Sequence, residues 1–282
     1  MKSQMAKRVI RYSCYAVILI VSGLIIRQNA WKIGVWRYQI DADRIRHVTV
    51  SPSGWEYYLH VPRGYTDQRR WPLLIYVHGT GGSGRDALHI WRPRADQEGF
   101  LYLAPTFPLK GYQRLQNGED TILWAMIAEV QSLYAIDLGR VFVCGFSGGA
   151  QFAHRFAFKY PGHVCGVSVM SAGSYDSPPR SGQVPFAVSV GQADDERTAL
   201  ALWFASELRR RGYSVWYETY PDVGHWMCDP AVDLTIRLFR AMAEPGEVSM
   251  DVGGEHADSL WQGDLAWTGA QAASGQPGDG RH

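Results

Sequence analysis

One pattern limits the fold of this chain more than any other. Between residues 46 and 243, short runs of β-branched and aromatic residues alternate with longer runs of helical period. The first two, "RHVTV" and "WEYYLHV", lie close together and suit an antiparallel pair. Then come "PLLIYVHG" and "FLYLAPTF", a helical pattern over 121–134, the strand "RVFVCGF", a helix stopped at Tyr160 by Pro161, and the strand "VCGVSVMSA". After a Pro-rich loop follow "PFAVSVG", a helix over 198–211, "SVWYETYP" and a helix over 230–243. A hairpin cannot join parallel neighbours, so strand and helix in steady alternation imply right-handed crossovers. The expectation is an α/β domain with a mostly parallel sheet and helices on both faces. No internal repeat is present.

The net charge of +1 is the sum of three unlike parts. Residues 1–46 carry nine basic and two acidic side chains, residues 244–282 one basic and seven acidic, and the stretch between them is balanced. A neutral globular middle argues against nucleic acid as the partner, because phosphate binding needs a concentrated basic face. The terminal excess has a different meaning. Lys2, Lys7, Arg8 and Arg11 precede the weakly polar to apolar run "YSCYAVILIVSGLII", which opens at Tyr12 and closes at Ile26. This is the layout of an export signal. The run makes a helix of only about 22 Å against a hydrocarbon core of roughly 30 Å, so a cleaved signal peptide competes with an anchor. No good cleavage site follows it, and Arg27 and Lys32 can snorkel to the far interface. The expected organisation is a signal anchor or signal peptide over 1–46, an α/β domain over 47–243 and an acidic, Gly-rich, disordered tail over 244–282, with the domain membrane-anchored or secreted on the extracytoplasmic side.

Four cysteines, Cys14, Cys144, Cys165 and Cys228, do not form a disulfide framework in a chain of 282 residues. No C-x-x-C, H-x-x-x-H or H-x-H spacing occurs, which argues against a zinc site.

The chemistry centres on "CGFSGGAQF". A buried strand ends there and a helix opens at once, so Ser147 sits on a tight turn whose small neighbours Gly145, Gly148 and Gly149 are sterically required. The N–H of Gly148 and the helix N-terminus favour an oxyanion at that point. A plain Gly-rich turn would look similar, whereas a phosphate loop would need a Lys after the glycines. A second glycine-rich turn, "HGTGGSG", follows the strand before it and leaves the N–H of Thr80 as the other candidate oxyanion donor, with His78 propping the loop. Later strands end at "VGQADD" and "YPDVGHWM". Carboxyl ends of parallel strands share one edge, where ligands bind, and Ser147, Asp194 and His225 appear along the chain in that order.

On these motifs, "HGTGGSG", "CGFSGGAQFAHRFAFKYPG", "VGQADD" and "VGHWM", residues 48–240 resemble the α/β-hydrolase fold. Within it the chain is similar to the esterases related to poly(3-hydroxybutyrate) depolymerases and to feruloyl and acetylxylan esterases. The resemblance implies Ser147 as nucleophile, Asp194 as the acid three residues after Gly191, and His225 as base, acting without metal or organic cofactor on a small or oligomeric ester. Asp195 and Asp176 are the alternative acids. The lack of a disulfide framework and the glycine after the serine depart from depolymerases and argue against polymer degradation. Trp91, Phe107, Tyr112 and Trp226 are expected either to line the mouth of the site or simply to cover the sheet edge. The competing activities are an acyltransferase or serine peptidase with the same triad, and a non-catalytic binding protein of the same fold.

Overall fold

The short apolar runs of the middle region all become strands of one sheet. The computed structural model describes residues 45–50, 55–107, 111–180 and 184–243. Among these residues the strands are β1 (Ile45–Val50), β2 (Trp55–His60), β3 (Trp71–Val77), β4 (Leu101–Thr106), β5 (Ile136–Phe146), β6 (Gly166–Met170), β7 (Phe186–Gly191) and β8 (Val215–Tyr220). The helices are α1 (Leu88–Glu98), α2 (Glu119–Leu133), α3 (Gly148–Lys159), α4 (Asp195–Arg210) and α5 (Asp229–Ala243).

The sheet order is β1-β2-β4-β3-β5-β6-β7-β8. The β1–β2 and β2–β4 pairs are antiparallel and every later pair is parallel. Strands β3, β6 and β7 are buried along their whole length, as parallel strands covered on both faces must be. Side-chain alternation sorts the helices between the faces. On β7, Phe186 meets Phe204 of α4 while Ala187 meets Leu234 and Leu238 of α5, so α4 and α5 lie on opposite sides. Phe158 of α3 also packs on Phe186, and Trp124 of α2 packs on Phe156 of α3, which puts α2, α3 and α4 on one face. On the other, Leu88, Trp91 and Ala95 of α1 share a core with Val232, Ile236 and Phe239 of α5.

Helix α1 is absent from the periodic pattern in the sequence. Its buried residues Leu88, Trp91, Arg92 and Ala95 have helical spacing, but Arg92 stands inside the stripe and Pro93 follows it, so charge and proline hide the period. Neither expectation for Trp91, lining the site mouth or covering the sheet edge, describes its position. It is fully buried beneath the sheet, between Tyr76 and Tyr102 at centroid distances of 5.9 and 6.4 Å. Helix α4 starts three residues before the expected 198, at Asp195, because the acidic pair Asp195 and Glu196 forms its first turn.

The three described cysteines, Cys144, Cys165 and Cys228, are free thiols. No helix among the described residues is long and apolar enough to cross a membrane. The run over 12–26 and the tail over 244–282 lie outside the described residues.

Candidate active site

Strand β5 ends at Phe146 and α3 begins at Gly148, so Ser147 alone makes the turn, with φ 55° and ψ −113°. A side chain resists that conformation, and surrounding bonds must hold it. The Ser147 N–H donates to the Met170 carbonyl on β6 at 2.9 Å, and its own carbonyl accepts from the N–H groups of Ala150 and Gln151. The glycines explain themselves at two positions. A Cβ on Gly149 would run into the Val77 carbonyl of β3, and one on Gly145 into the backbone of Gly149. The helix can press against the sheet only where these side chains are missing.

Two neighbouring strands deliver the partners to the same edge. After β7, Asp194 caps α4, yet its carboxylate makes no capping bond. Oδ2 accepts instead from His225 Nδ1 at 2.7 Å and Oδ1 from the Arg197 guanidinium at 2.9 Å. After β8, His225 lies with Nε2 3.0 Å from Ser147 Oγ. An ionised carboxylate only accepts, so Nδ1 carries the ring proton and Nε2 presents its lone pair to the serine hydroxyl. The Asp194 side chain is 5 % exposed and that of His225 34 %, so the acid is shielded while the imidazole reaches the surface. The His225 ring leans on the Phe146 ring at 4.8 Å, which fixes its tilt.

The alternative carboxylates face elsewhere. Asp195 is exposed on the first turn of α4. Asp176 accepts from Arg155 at 2.7 and 2.9 Å, and its backbone N–H donates to His154 Nε2 at 3.1 Å.

The loop after β3 forms the opposite wall. His78 is buried, its Nδ1–H donating to the Gly79 carbonyl at 2.7 Å and its Nε2 accepting from the Phe107 N–H at 3.0 Å. Burial lowers its pKa, so it stays neutral and ties two loops together. The Tyr112 hydroxyl donates to the His78 carbonyl at 2.6 Å. Tyr112 and Phe107 stack beneath the site at 5.4 Å, both buried, while Trp226, next to His225, is 54 % exposed. Thr80 is exposed, and its hydroxyl accepts from the Gln113 amide at 2.7 Å. Gln113, Gln151, Arg155, Ser174 and Asp176 border an open polar cleft, and Gln151 lies four residues along the chain from Ser147.

Two contributors escape sequence reasoning. Arg197 stands three residues after Asp194, a helical spacing that marks it only when α4 starts at Asp195. Gln113 lies in a single 3-10 turn, Tyr112–Arg114, with no motif, and no sequence signal marks it.

No family model matches the chain. Over 130 residues it is 31% identical to the probable feruloyl esterase C of Aspergillus terreus, covering 43% of this chain and 47% of that one. The chain thus spans about half the length of the curated relatives it matches. Among solved structures it is similar to a hyperthermophilic esterase from Pyrobaculum calidifontis, at a TM-score of 0.60 and 17% identity, covering 78% of this chain and 93% of that one. It is also similar to a poly(3-hydroxybutyrate) depolymerase from Bordetella parapertussis, at a TM-score of 0.55 and 19% identity, covering 69% and 88%. The fold is therefore the α/β-hydrolase fold.

Proposed function

We propose that this chain is a serine hydrolase of carboxylic esters that works through an acyl-enzyme. The observation that carries the reading is the continuous hydrogen-bonded line from Ser147 Oγ to His225 to Asp194. In this scheme His225 Nε2 takes the serine proton as Oγ attacks the ester carbonyl, then returns it to the departing alcohol. Water, activated by the same nitrogen, releases the acid. Asp194 holds the Nδ1–H tautomer and balances the charge of the imidazolium, and Arg197 holds Asp194. The N–H groups of Gly148 and Thr80 receive the oxyanion, helped by the N-terminal end of α3. None of these steps calls on a metal or organic cofactor.

Feruloyl esters are the first natural class to try, since the curated relative named above is a feruloyl esterase. The test is release of p-nitrophenol from p-nitrophenyl acetate and of ferulate from methyl ferulate, with peptide p-nitroanilides alongside. Wild-type protein should cleave the esters and Ser147→Ala should not. Equal rates in the two proteins, or cleavage of the anilides alone, would refute ester hydrolysis at Ser147.

The domain organisation and location extend this proposal. Residues 1–46 hold the membrane or export segment, 47–243 the catalytic domain and 244–282 the tail, with the site on the extracytoplasmic side. The support is the four cations ahead of the run over 12–26. Fractionation with intact-mass measurement checks it: attachment predicts the full chain in the membrane fraction, and a product starting near Trp31 would mean cleavage.

A further inference from the structure

We propose that the Thr80 hydroxyl is a third donor to the oxyanion, beside the two backbone N–H groups, and that Gln113 is the positioning residue that holds it there. This rests on the serine-hydrolase reading above and adds to it a side chain that reads the transition state.

The space next to Gly148 supplies the geometry. A Cβ on that residue would lie 2.8 Å from the Tyr112 hydroxyl and 3.0 Å from the Thr80 nitrogen, and would collide with Thr80 Oγ1. The Thr80 hydroxyl therefore fills the volume that a side chain after the nucleophile would claim. It shares this small volume with the Thr80 N–H, and the Gly148 N–H belongs to the residue it touches. A glycine at 148 is what admits it.

The hydroxyl still has its proton to give. The Gln113 amide donates to Thr80 Oγ1 at 2.7 Å, so that bond uses a lone pair of the hydroxyl and not its proton. The Tyr112 proton is committed to the His78 carbonyl at 2.6 Å, which leaves the Tyr112 oxygen as the resting acceptor for the Thr80 proton. An alkoxide-like oxygen carries nearly a full charge, and a charge-assisted bond to it is roughly twice as strong as a bond to a neutral phenol. As the tetrahedral intermediate forms, the hydroxyl turns from the phenol to the oxyanion with its oxygen still pinned by Gln113. A donor whose bond strengthens only as charge develops acts on the transition state and not on ground-state binding. Gln113 is itself restrained, because the Arg155 guanidinium donates to its carbonyl at 2.9 Å and is locked to Asp176. Thr80 is exposed at the loop surface, so substrate reaches it and substitutions there do not disturb the core.

The experiment compares wild-type protein, Thr80→Val, Thr80→Ser and Gln113→Ala, by the rate at which a fluorophosphonate labels Ser147 and by kcat and KM on p-nitrophenyl acetate. Valine keeps the shape and the backbone N–H but lacks the hydroxyl. The expected result is a loss of about a hundred- to a thousandfold in labelling rate and kcat for Thr80→Val, the range set by removing a single oxyanion donor, with KM nearly constant. Thr80→Ser should restore most of the rate, and Gln113→Ala should show a smaller loss in kcat. Labelling by Thr80→Val at the wild-type rate, or a loss in Thr80→Ser as large as in Thr80→Val, would overturn the inference while leaving the esterase reading in place. Wild-type protein that neither takes the label nor turns over ester would overturn both.

Discussion

His78 and His225 stand at the same edge of one sheet, the first just after β3 and the second in the loop after β8, and they have opposite surroundings. The ring nitrogens of His78 are both engaged by backbone, to the Gly79 carbonyl and the Phe107 N–H, and the side chain is buried. Those of His225 are both engaged by side chains, Ser147 and Asp194, and a third of the ring is exposed. The difference teaches that position at the carboxyl edge does not make a histidine a base. A ring whose lone pair is held by an amide and whose proton is held by a carbonyl can only brace a loop. A ring that faces a hydroxyl on one side and a carboxylate on the other has the surroundings that the proposed proton transfer requires.

The largest effect that tests this contrast belongs to the His225 side. Asp194→Asn should lower kcat on p-nitrophenyl acetate by about 10⁴, by analogy with the serine-protease case in which amidation of the acid favours the wrong tautomer. Asp195→Asn should change kcat less than about threefold, because that carboxylate points to solvent. A reversal of the two results would move the acid by one residue.

A third histidine extends the comparison to pH. His154 is buried, with Nδ1–H on the Ala150 carbonyl and Nε2 accepting from the Asp176 N–H, and burial pushes its pKa down to about 4, with neighbouring Arg155 adding to the shift. In the unfolded chain the same ring titrates near 6.5. Between those values the unfolded state takes up a proton that the folded state refuses, so stability falls as pH drops from 6.5 through 4. Within that window each pH unit costs at most about 1.4 kcal/mol. Buried His78 is shifted in the same direction and adds to it. Urea midpoints at pH 7 and pH 4.5 measure this: the wild-type drop should shrink in His154→Gln, and a drop of unchanged size would show that other groups carry it.

The smallest effect should separate bracing from catalysis. His78→Leu strands the Phe107 N–H in a buried place and should cost about 1–3 kcal/mol of stability, with a loss of kcat no greater than about thirtyfold through a misplaced Thr80 loop. Denaturant melts and kcat on the same preparation decide it. A stable His78→Leu with kcat reduced a thousandfold would erase the distinction between the two histidines.

The parts that could be read in advance are those with a local cause. The strand run before Ser147, the helix run after it and the glycines around it are dictated by how closely α3 must approach β3 and β5. Helix α1 could not be read, because Arg92 and Pro93 interrupt a stripe that only the fold shows to be buried. Trp91 went to the wrong place for the same reason: without that helix, nothing put it under the sheet. Arg197 has helical spacing from Asp194, but that spacing means something only once the start of α4 is fixed, and Gln113 meets Thr80 across a sequence distance that leaves no local pattern.

What the sequence determined by itself was the alternation of elements, the turn at Ser147 and the chain order of serine, acid and histidine, since periodicity and steric demand act between neighbouring residues. Only the tertiary structure decided which carboxylate meets the imidazole. Asp194 and Asp195 are adjacent, but one step at a helix start turns a side chain by about 100°, so one faces His225 and the other solvent. That rotation is set by how α4 seats against β7 and β8, through packing contacts distant in sequence from the residues it orients.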